Sequence, residues 1–466
     1  VKKLAIFALI LAWTSTVFAN NVNLVNGDLS FQTARAGKLG AQVMDVLERG
    51  SWAAWSVPII EGQSWGCYNH EGERCSCSLD KNQNRRFSGM VDGTQARFLT
   101  IFLKAENGRV NRIELISDHC EIDAAGDAVT LFSTVDPGES IEFLSGLRNK
   151  SNFHEVVSAV ALHDHELADE TLKNFLDDEN PIDLRRDAVF WMGQARGQRG
   201  YETLADHAFH NPDARLREHI TFGLHTSKVP EARSTLMRMA REDEHSNVRQ
   251  QAVFWLAQEG GDDVVALIHE MLEANNTGDV SRLTFALTQL PDNGGVPMLV
   301  NLVRNHENQE VRGQAIFWLG QEGAPEVFEL IDEAVASHSQ GKMVDQAMLT
   351  LSQTSDEKGL SALLKYARSH ESEHVRSKAL FWLGQKAGQK ATETLMEAID
   401  EDPNTGVKEQ AVFAISQLPK EQAGPLLSDL ARNHKEPAIR KKALFWLGQI
   451  GYEGAVDLFE DILTKE

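Results

Sequence analysis

Basic residues are scarce in this 466-residue chain: 46 Lys and Arg stand against 68 Asp and Glu, a formal charge of −22. No basic stripe interrupts the acidity, which argues against a phosphate-backbone partner. Proline (12) and glycine (34) are sparse, so collagen-like, low-complexity and wholly disordered classes are excluded. Long apolar runs are missing beyond the first residues, and none reaches the ~20 residues needed to span a bilayer. Cysteine is limited to four, all between Cys67 and Cys120. The chain has neither a phosphate-binding glycine loop nor a paired His-Glu helix motif such as HExxH.

What is present begins with an export pattern. Lys2 and Lys3 precede the apolar Leu4–Trp13, and Val17 and Ala19 place small residues before a cut ahead of Asn20. Residues 1–19 are therefore expected to be a cleaved signal peptide. The valine at position 1 fits an alternative start codon and a bacterial source. Residues 20–136 carry 15 acids and 11 bases, so most of the acidic excess falls on residues 137–466.

That second stretch repeats. AVFWMGQ (188–194), AVFWLAQ (252–258), AIFWLGQ (315–321), ALFWLGQ (379–385) and ALFWLGQ (443–449) recur, their tryptophans falling at intervals of 64, 63, 64 and 64. Weaker copies lie halfway: ITFGLHT (220–226), LTFALTQ (283–289), AMLTLSQ (347–353) and AVFAISQ (411–417). A period of about 32 residues marks a solenoid. Each unit reads as two helices, with Asn247 or Ser246 as a cap before the second. Gly260-Gly261, Gly323, Gly388 and Gly451 follow the FWxxQ helices, and Pro230, Pro291 and Pro325 punctuate the links. About ten hairpins are expected between residues 137 and 449, with a lone helix at 453–463 covering the last face.

The start of the second helix carries the family resemblance. Val248-Arg249-Gln250-Gln251-Ala252, Val311-Arg312 with Ala315, and Val375-Arg376 with Ala379 share one pattern. Ile439-Arg440 with Ala443 and Leu184-Arg185 with Ala188 are close variants, whereas the copies at 279–289 and 343–353 lack the arginine. The stretch 137–466 thus resembles HEAT repeats, especially the short bacterial kind found in phycobilin-lyase-like proteins. The resemblance implies a scaffold that binds proteins; lyase activity gains nothing from the residues, and export argues against it.

Three slots of the repeat invite a role. Val248, Ala252, Trp255 and Leu256 fall on one helical stripe, so Trp191, Trp255, Trp318, Trp382 and Trp446 are expected in the core. Their slot alternates with Gly223, Ala286, Thr350 and Ala414, which suggests that each indole fills space beside a small neighbour. Gln194, Gln258, Gln289, Gln321, Gln353, Gln385, Gln417 and Gln449 occupy another slot, read mainly as a hydrogen-bond ladder near helix ends. The third slot, Phe190, Phe222, Phe254, Phe285, Phe317, Phe381, Phe413 and Phe445, has Leu349 as its exception and points about 100° from tryptophan. The candidates for contact with a partner are Phe190, Phe254, Phe317, Phe381, Phe445, Gln258, Gln321 and Gln385.

Residues 20–136 lack the repeat. QARFLTIFLKA (95–105), an Asn107-Gly108 turn and VNRIELIS (110–117) form a hairpin pattern. AVTLFSTV (128–135) and SWAAWSVPII (51–60) add strands, and GKLGAQVMDVLE (37–48) a short helix. In an oxidising compartment Cys67, Cys75, Cys77 and Cys120 form two disulfides by default, with Cys67 and Cys120 each taking one of the other two. A metal site from Cys67, His70, Cys75 and Cys77 is the weaker alternative. Gly62-Gln63-Ser64-Trp65-Gly66 matches a nucleophile elbow without the α/β sheet it needs. Asp400-x-Asp402-x-Asn404 lacks the glycine and closing glutamate of a calcium loop. His163-Asp164-His165 reads as a solvated turn between helices.

These residues predict a mainly α fold: an α-solenoid over 137–466 with a C-terminal capping helix, preceded by a small β-rich domain over 20–136. The expected protein is periplasmic or secreted, is not an enzyme, needs no cofactor, binds a protein or peptide rather than nucleic acid, and has no membrane span after signal cleavage. The alternative is a metal-binding or enzymatic activity in the Cys/His loop.

Overall fold

The computed structural model describes residues 22–67, 76–80, 88–90, 96–147, 152–274, 279–337, 340–354, 357–386 and 389–464. The expected signal segment, His70, Cys75 and Gly388 lie outside them. The chain divides into two compact units, one up to Trp255 and one from Leu256 onward.

Among the described residues the first unit opens with ten strands, β1 (Asn23–Val25), β2 (Asp28–Thr33), β3 (Trp52–Pro58), β4 (Trp65–Cys67), β5 (Ser76–Ser78), β6 (Ser88–Met90), β7 (Phe98–Glu106), β8 (Arg109–Ser117), β9 (Glu121–Asp123) and β10 (Ala128–Ser133), with the expected short helix, Leu39–Glu48, between β2 and β3. Five of them form a sheet in the order β2-β10-β3-β7-β8. Strand β10 runs parallel to both β2 and β3, while β3-β7 and β7-β8 are antiparallel. The β7-β8 turn falls on Asn107 and Gly108, both at positive φ (55° and 73°), the geometry that an Asn-Gly pair tolerates at least cost. One face of the sheet holds Trp52, Ala54, Phe102, Ile116, Val129 and Leu131 against Cys77, Leu79, Cys120 and Ile122. Cys77 and Cys120 are each disulfide-bonded. β2, which lacks a β-branched run, has no counterpart among the strands expected from sequence.

Helices follow from Pro137. Among the described residues three hairpins lie within the first unit and six within the second, and the boundary falls inside the second helix of the hairpin formed by Glu231–Glu242 and Ser246–Glu259. The lone helix Ala455–Thr464 ends the series. Asp136 caps the helix Pro137–Gly146 by accepting from the Glu139 amide at 2.9 Å, with Pro137 in the first turn. Gly260, Gly323 and Gly451 take positive φ (77°, 66° and 60°) just beyond FWxxQ helices, as a left-handed C-cap requires. The predicted cap at Asn247 or Ser246 is corrected: both lie within the helix, which begins at Ser246, and Asp243 takes the amide of His245 at 2.9 Å.

Helix contact rests on small residues. A Cβ on Gly193 would lie 2.0 Å from the Gly223 carbonyl oxygen, one on Gly320 2.2 Å from Thr350 Cγ2, and one on Gly384 2.6 Å from the Ala414 carbonyl oxygen. The small residues of the tryptophan slot therefore pack against the glycine two positions after a tryptophan.

Buried polar groups set the neighbouring hairpins together. Arg217 in the first unit donates through Nε and Nη2 to Asp243 (2.8 and 3.1 Å), and its Nη1 reaches the Asn211 carbonyl (2.7 Å). In the second unit Arg376 does the same with Asp402 (2.7 and 3.0 Å) and the carbonyls of His370 and Glu371. Arg376, from the Val-Arg-x-x-Ala pattern, and Arg217 thus satisfy helix-end carbonyls while bridging to the next hairpin, and Arg249, Arg312 and Arg440 likewise donate to helix-end carbonyls.

Candidate functional site: the aromatic face of the second helices

Of the five tryptophans expected in the core, Trp191 alone is fully buried, whereas Trp255, Trp318, Trp382 and Trp446 are half-buried. The residue at position −33 from each sets what its indole meets. At Trp191 that position is Ser158, whose Oγ accepts from the indole Nε1 at 3.0 Å. At Trp255, Trp318 and Trp446 it is a phenylalanine, with ring centroids 4.9, 5.0 and 4.8 Å away (Phe222, Phe285 and Phe413). The buried Nε1 atoms of those three tryptophans have no hydrogen-bond partner. They face rings where Trp191 meets a hydroxyl.

The phenylalanines therefore do not seal a core but continue a half-open row. In the first unit Phe190 stacks on Phe222 at 6.0 Å and 18°, and Phe254 meets Trp255 edge-on at 4.9 Å. In the second unit Phe317 meets Trp318, Phe381 meets Trp382 and Phe445 meets Trp446 in the same edge-on way, 4.9 to 5.0 Å apart. Phe381 stacks on Phe413 at 6.0 Å and 15°. Phe445 is 54% exposed. Edge-on and offset pairs are the arrangements that aromatic quadrupoles favour.

Charge along this face of the second unit is paired off. Lys342 lies 2.6 Å from Glu310, Lys378 lies 3.0 Å from Asp345, and Lys442 lies 3.0 Å from Glu409. The glutamines are placed at the edge. Gln258, Gln321 and Gln385 are exposed; Gln258 donates to Gln289 at 3.1 Å and Gln321 to Gln353 at 2.8 Å. Gln289 and Gln417 also donate through Nε2 to the hydroxyls of Thr288 and Ser416 beside them. Two pairs thus tie neighbouring repeats among the described residues, Gln258 with Gln289 and Gln321 with Gln353.

Between Leu349, Phe381, Trp382 and Phe413 the row opens into a recess of about 490 Å³, rimmed by Asp345, Gln346, Ser377, Lys378 and Gln410. The sequence held the signal for it, since Leu349 is the single non-aromatic residue in the phenylalanine slot.

The β-rich region meets the first hairpins through a buried network. The Nδ1–H of His163 donates to the Ala159 carbonyl at 2.7 Å, so its Nε2 accepts from the Ser140 hydroxyl at 2.9 Å. Ser140 Oγ in turn accepts from Trp55 Nε1 at 2.7 Å. Burial pushes the His163 imidazole down to about 4. His163 is 0% exposed, so the expected solvated His163-Asp164-His165 turn is corrected at its first residue. Arg196 ties the same corner, reaching Asp169 at 2.6 Å and the carbonyls of Ala161 and His163. Trp65 from β4 lies over Trp191, ring centroids 5.4 Å apart.

Among the described residues no group of three or more His, Cys, Asp or Glu is placed to hold a metal ion. His70 and Cys75 are not among those residues, and the disulfide at Cys77 takes its thiolate out of the weaker metal set. No helix of the described residues is long and apolar enough to cross a membrane.

No curated protein matches the chain. Among solved structures, human deoxyhypusine hydroxylase is 18% identical, matching 57% of this chain and 96% of that one with a TM-score of 0.24. The complex of CpcE and CpcF of phycocyanin lyase from Nostoc is 16% identical over 54% of this chain and 94% of its own, TM-score 0.25. The karyopherin Kap121p, bound to the extreme C-terminus of the phosphatase Cdc14p, is 11% identical over 71% and 46%, TM-score 0.34. The family model for HEAT repeats matches residues 168–257, 201–288, 296–384, 360–433 and 392–466, more than half of the chain. With its Arg-Asp bridged hairpins and its regular two-helix period, the chain belongs to the HEAT-repeat family.

Proposed function

We propose that this protein is an exported, non-enzymatic scaffold of the short bacterial HEAT kind that binds a protein or peptide through its second helices. One observation carries the reading: aromatic rings recur half-open along that face while the charges beside them are paired. Interface centres are enriched in aromatic residues and depleted in unpaired charge, and a few such anchors supply most of the binding energy. The acidic excess favours basic partners during encounter and disfavours nucleic acid. Export rests on the pattern of residues 1–19, and a disulfide framework among the four cysteines is consistent with an oxidising compartment.

Affinity isolation from the periplasmic fraction tests the proposal, with the wild-type chain beside a Phe317→Ser, Phe445→Ser double variant. The expected result is a partner that the wild type retains and the variant loses, with both proteins recovered from that fraction. Equal retention by both, or a cytoplasmic location, contradicts it.

A further inference from the structure

In this repeat every tryptophan but two has a phenylalanine at −33 that covers one side of its ring. The two exceptions are Trp191, preceded by Ser158, and Trp382, preceded by Leu349. The first shows how the molecule treats such a gap. Trp65 arrives from outside the helical array and lays its indole 5.4 Å from that of Trp191, where it is only 8% exposed. Gln63, two residues earlier, points its amide at the carbonyl of Gln194, 3.5 Å away.

The second exception is left open. Leu349 is shorter than the phenylalanine of its slot, and the recess of about 490 Å³ lies between it, Trp382, Phe381 and Phe413. That volume is within the range of about 300–1,000 Å³ for small-ligand pockets. The charge at its rim is balanced: Asp345 is bonded at 3.0 Å to both Lys378 and His374. A neutral aromatic group can enter without stranding an ion. Gln385 stands in the slot of Gln194, so its backbone carbonyl occupies the repeat position that Gln63 addresses in the first unit.

We propose that the recess at Trp382 receives an aromatic side chain, indole or phenyl, from an extended segment of the partner, as Trp65 covers Trp191. This deepens the scaffold reading and rests on it. The proposal commits to a peptide because the internal example is a peptide segment, Gln63-Ser64-Trp65, and because Gln346, Ser377 and Gln410 offer amide and hydroxyl groups suited to a neighbouring backbone.

The probe is a capped peptide with the sequence of residues 60–66, compared with the same peptide carrying Trp65→Ser. Binding to the full chain is followed by the methyl resonances of Leu349 and the indole resonance of Trp382. The tryptophan peptide should give saturable shifts at both, with Kd about 1 mM or tighter, and the serine peptide none. Leu349→Phe restores the missing ring and closes the recess. It should weaken binding at least about 30-fold while leaving the melting temperature unchanged or higher. Absence of saturable shifts, or equal binding by Leu349→Phe, overturns the proposal. A cellular partner still held by Leu349→Phe but lost on changing Phe317 and Phe445 would overturn this inference and leave the scaffold reading standing.

Discussion

Trp191 and Trp382 occupy the same slot of the repeat, yet replacing each by alanine should have unequal consequences. Trp191 is 0% exposed, enclosed by Trp65 and Phe190, with its Nε1 bonded to Ser158. A buried tryptophan removes ~150–250 Å² from water, which at about 25 cal/mol per Å² is about 4–6 kcal/mol. Large-to-small changes of this kind cost about 3–5 kcal/mol. Ser158 loses a donor but keeps its own bond to the His154 carbonyl at 2.6 Å, so no stranded polar group adds to the cost. Trp382 is half-buried and already borders an open recess, so its removal enlarges a wet space and creates no closed void. Its loss should cost about 1–2 kcal/mol. Urea unfolding of the two variants, read by far-UV circular dichroism for the unit that carries each change, measures both. A loss below about 1 kcal/mol for Trp191→Ala, or an equal loss for Trp382→Ala, would falsify the division of this slot into one core and one surface member.

Other outcomes follow from single sites. Gly193→Ala should lower the melting temperature, because its new methyl meets the Gly223 carbonyl; overpacking of this kind costs about 1–3 kcal/mol. Gly146→Ala, with nothing within 4 Å, should instead be neutral or stabilising. Arg376→Met leaves the buried Asp402 carboxylate unpaired and should cost about 3–5 kcal/mol in chemical denaturation. His163 is held neutral, its folded pKa depressed from 6.5 to about 4. The unfolded chain therefore binds the extra proton first: the stabilisation is complete above pH 6.5 and drains away as the pH falls towards 4. Its size is about 3 kcal/mol. Stability measured across that interval should decline less steeply in His163→Asn, and parallel declines would contradict the assignment.

The sequence was informative wherever one local rule decided the outcome. Asn107-Gly108 fixed the β7-β8 turn because few other pairs accept two positive φ angles, and glycine after the FWxxQ run marked helix ends for the same reason. The hairpins were readable because their period repeats. The tryptophan slot was misread for a physical reason. A helical wheel gives the angle of a side chain but not which flank the neighbouring hairpins cover, and this flank is only half covered. The Arg217–Asp243 and Arg376–Asp402 bridges join residues 26 positions apart, a spacing with no helical meaning, so they emerge only once hairpins are stacked. Trp65 lay inside a motif set aside as a coincidental nucleophile elbow; its contact with Trp191 depends on how β4 meets the helices, which no local pattern encodes. By contrast, Leu349 was visible from the start as the break in the phenylalanine slot, and the recess beside it gives that break a consequence.

The claim that the second helices present their aromatic row to a partner is tested most directly by hydroxyl-radical footprinting of the full chain, free and in complex with the protein it captures. Protection should gather on Phe317, Phe381, Trp382 and Phe445, while Trp191 stays unreactive in both states. Unchanged reactivity along that row, with protection confined to the first helices or to the β-rich region, would contradict the account.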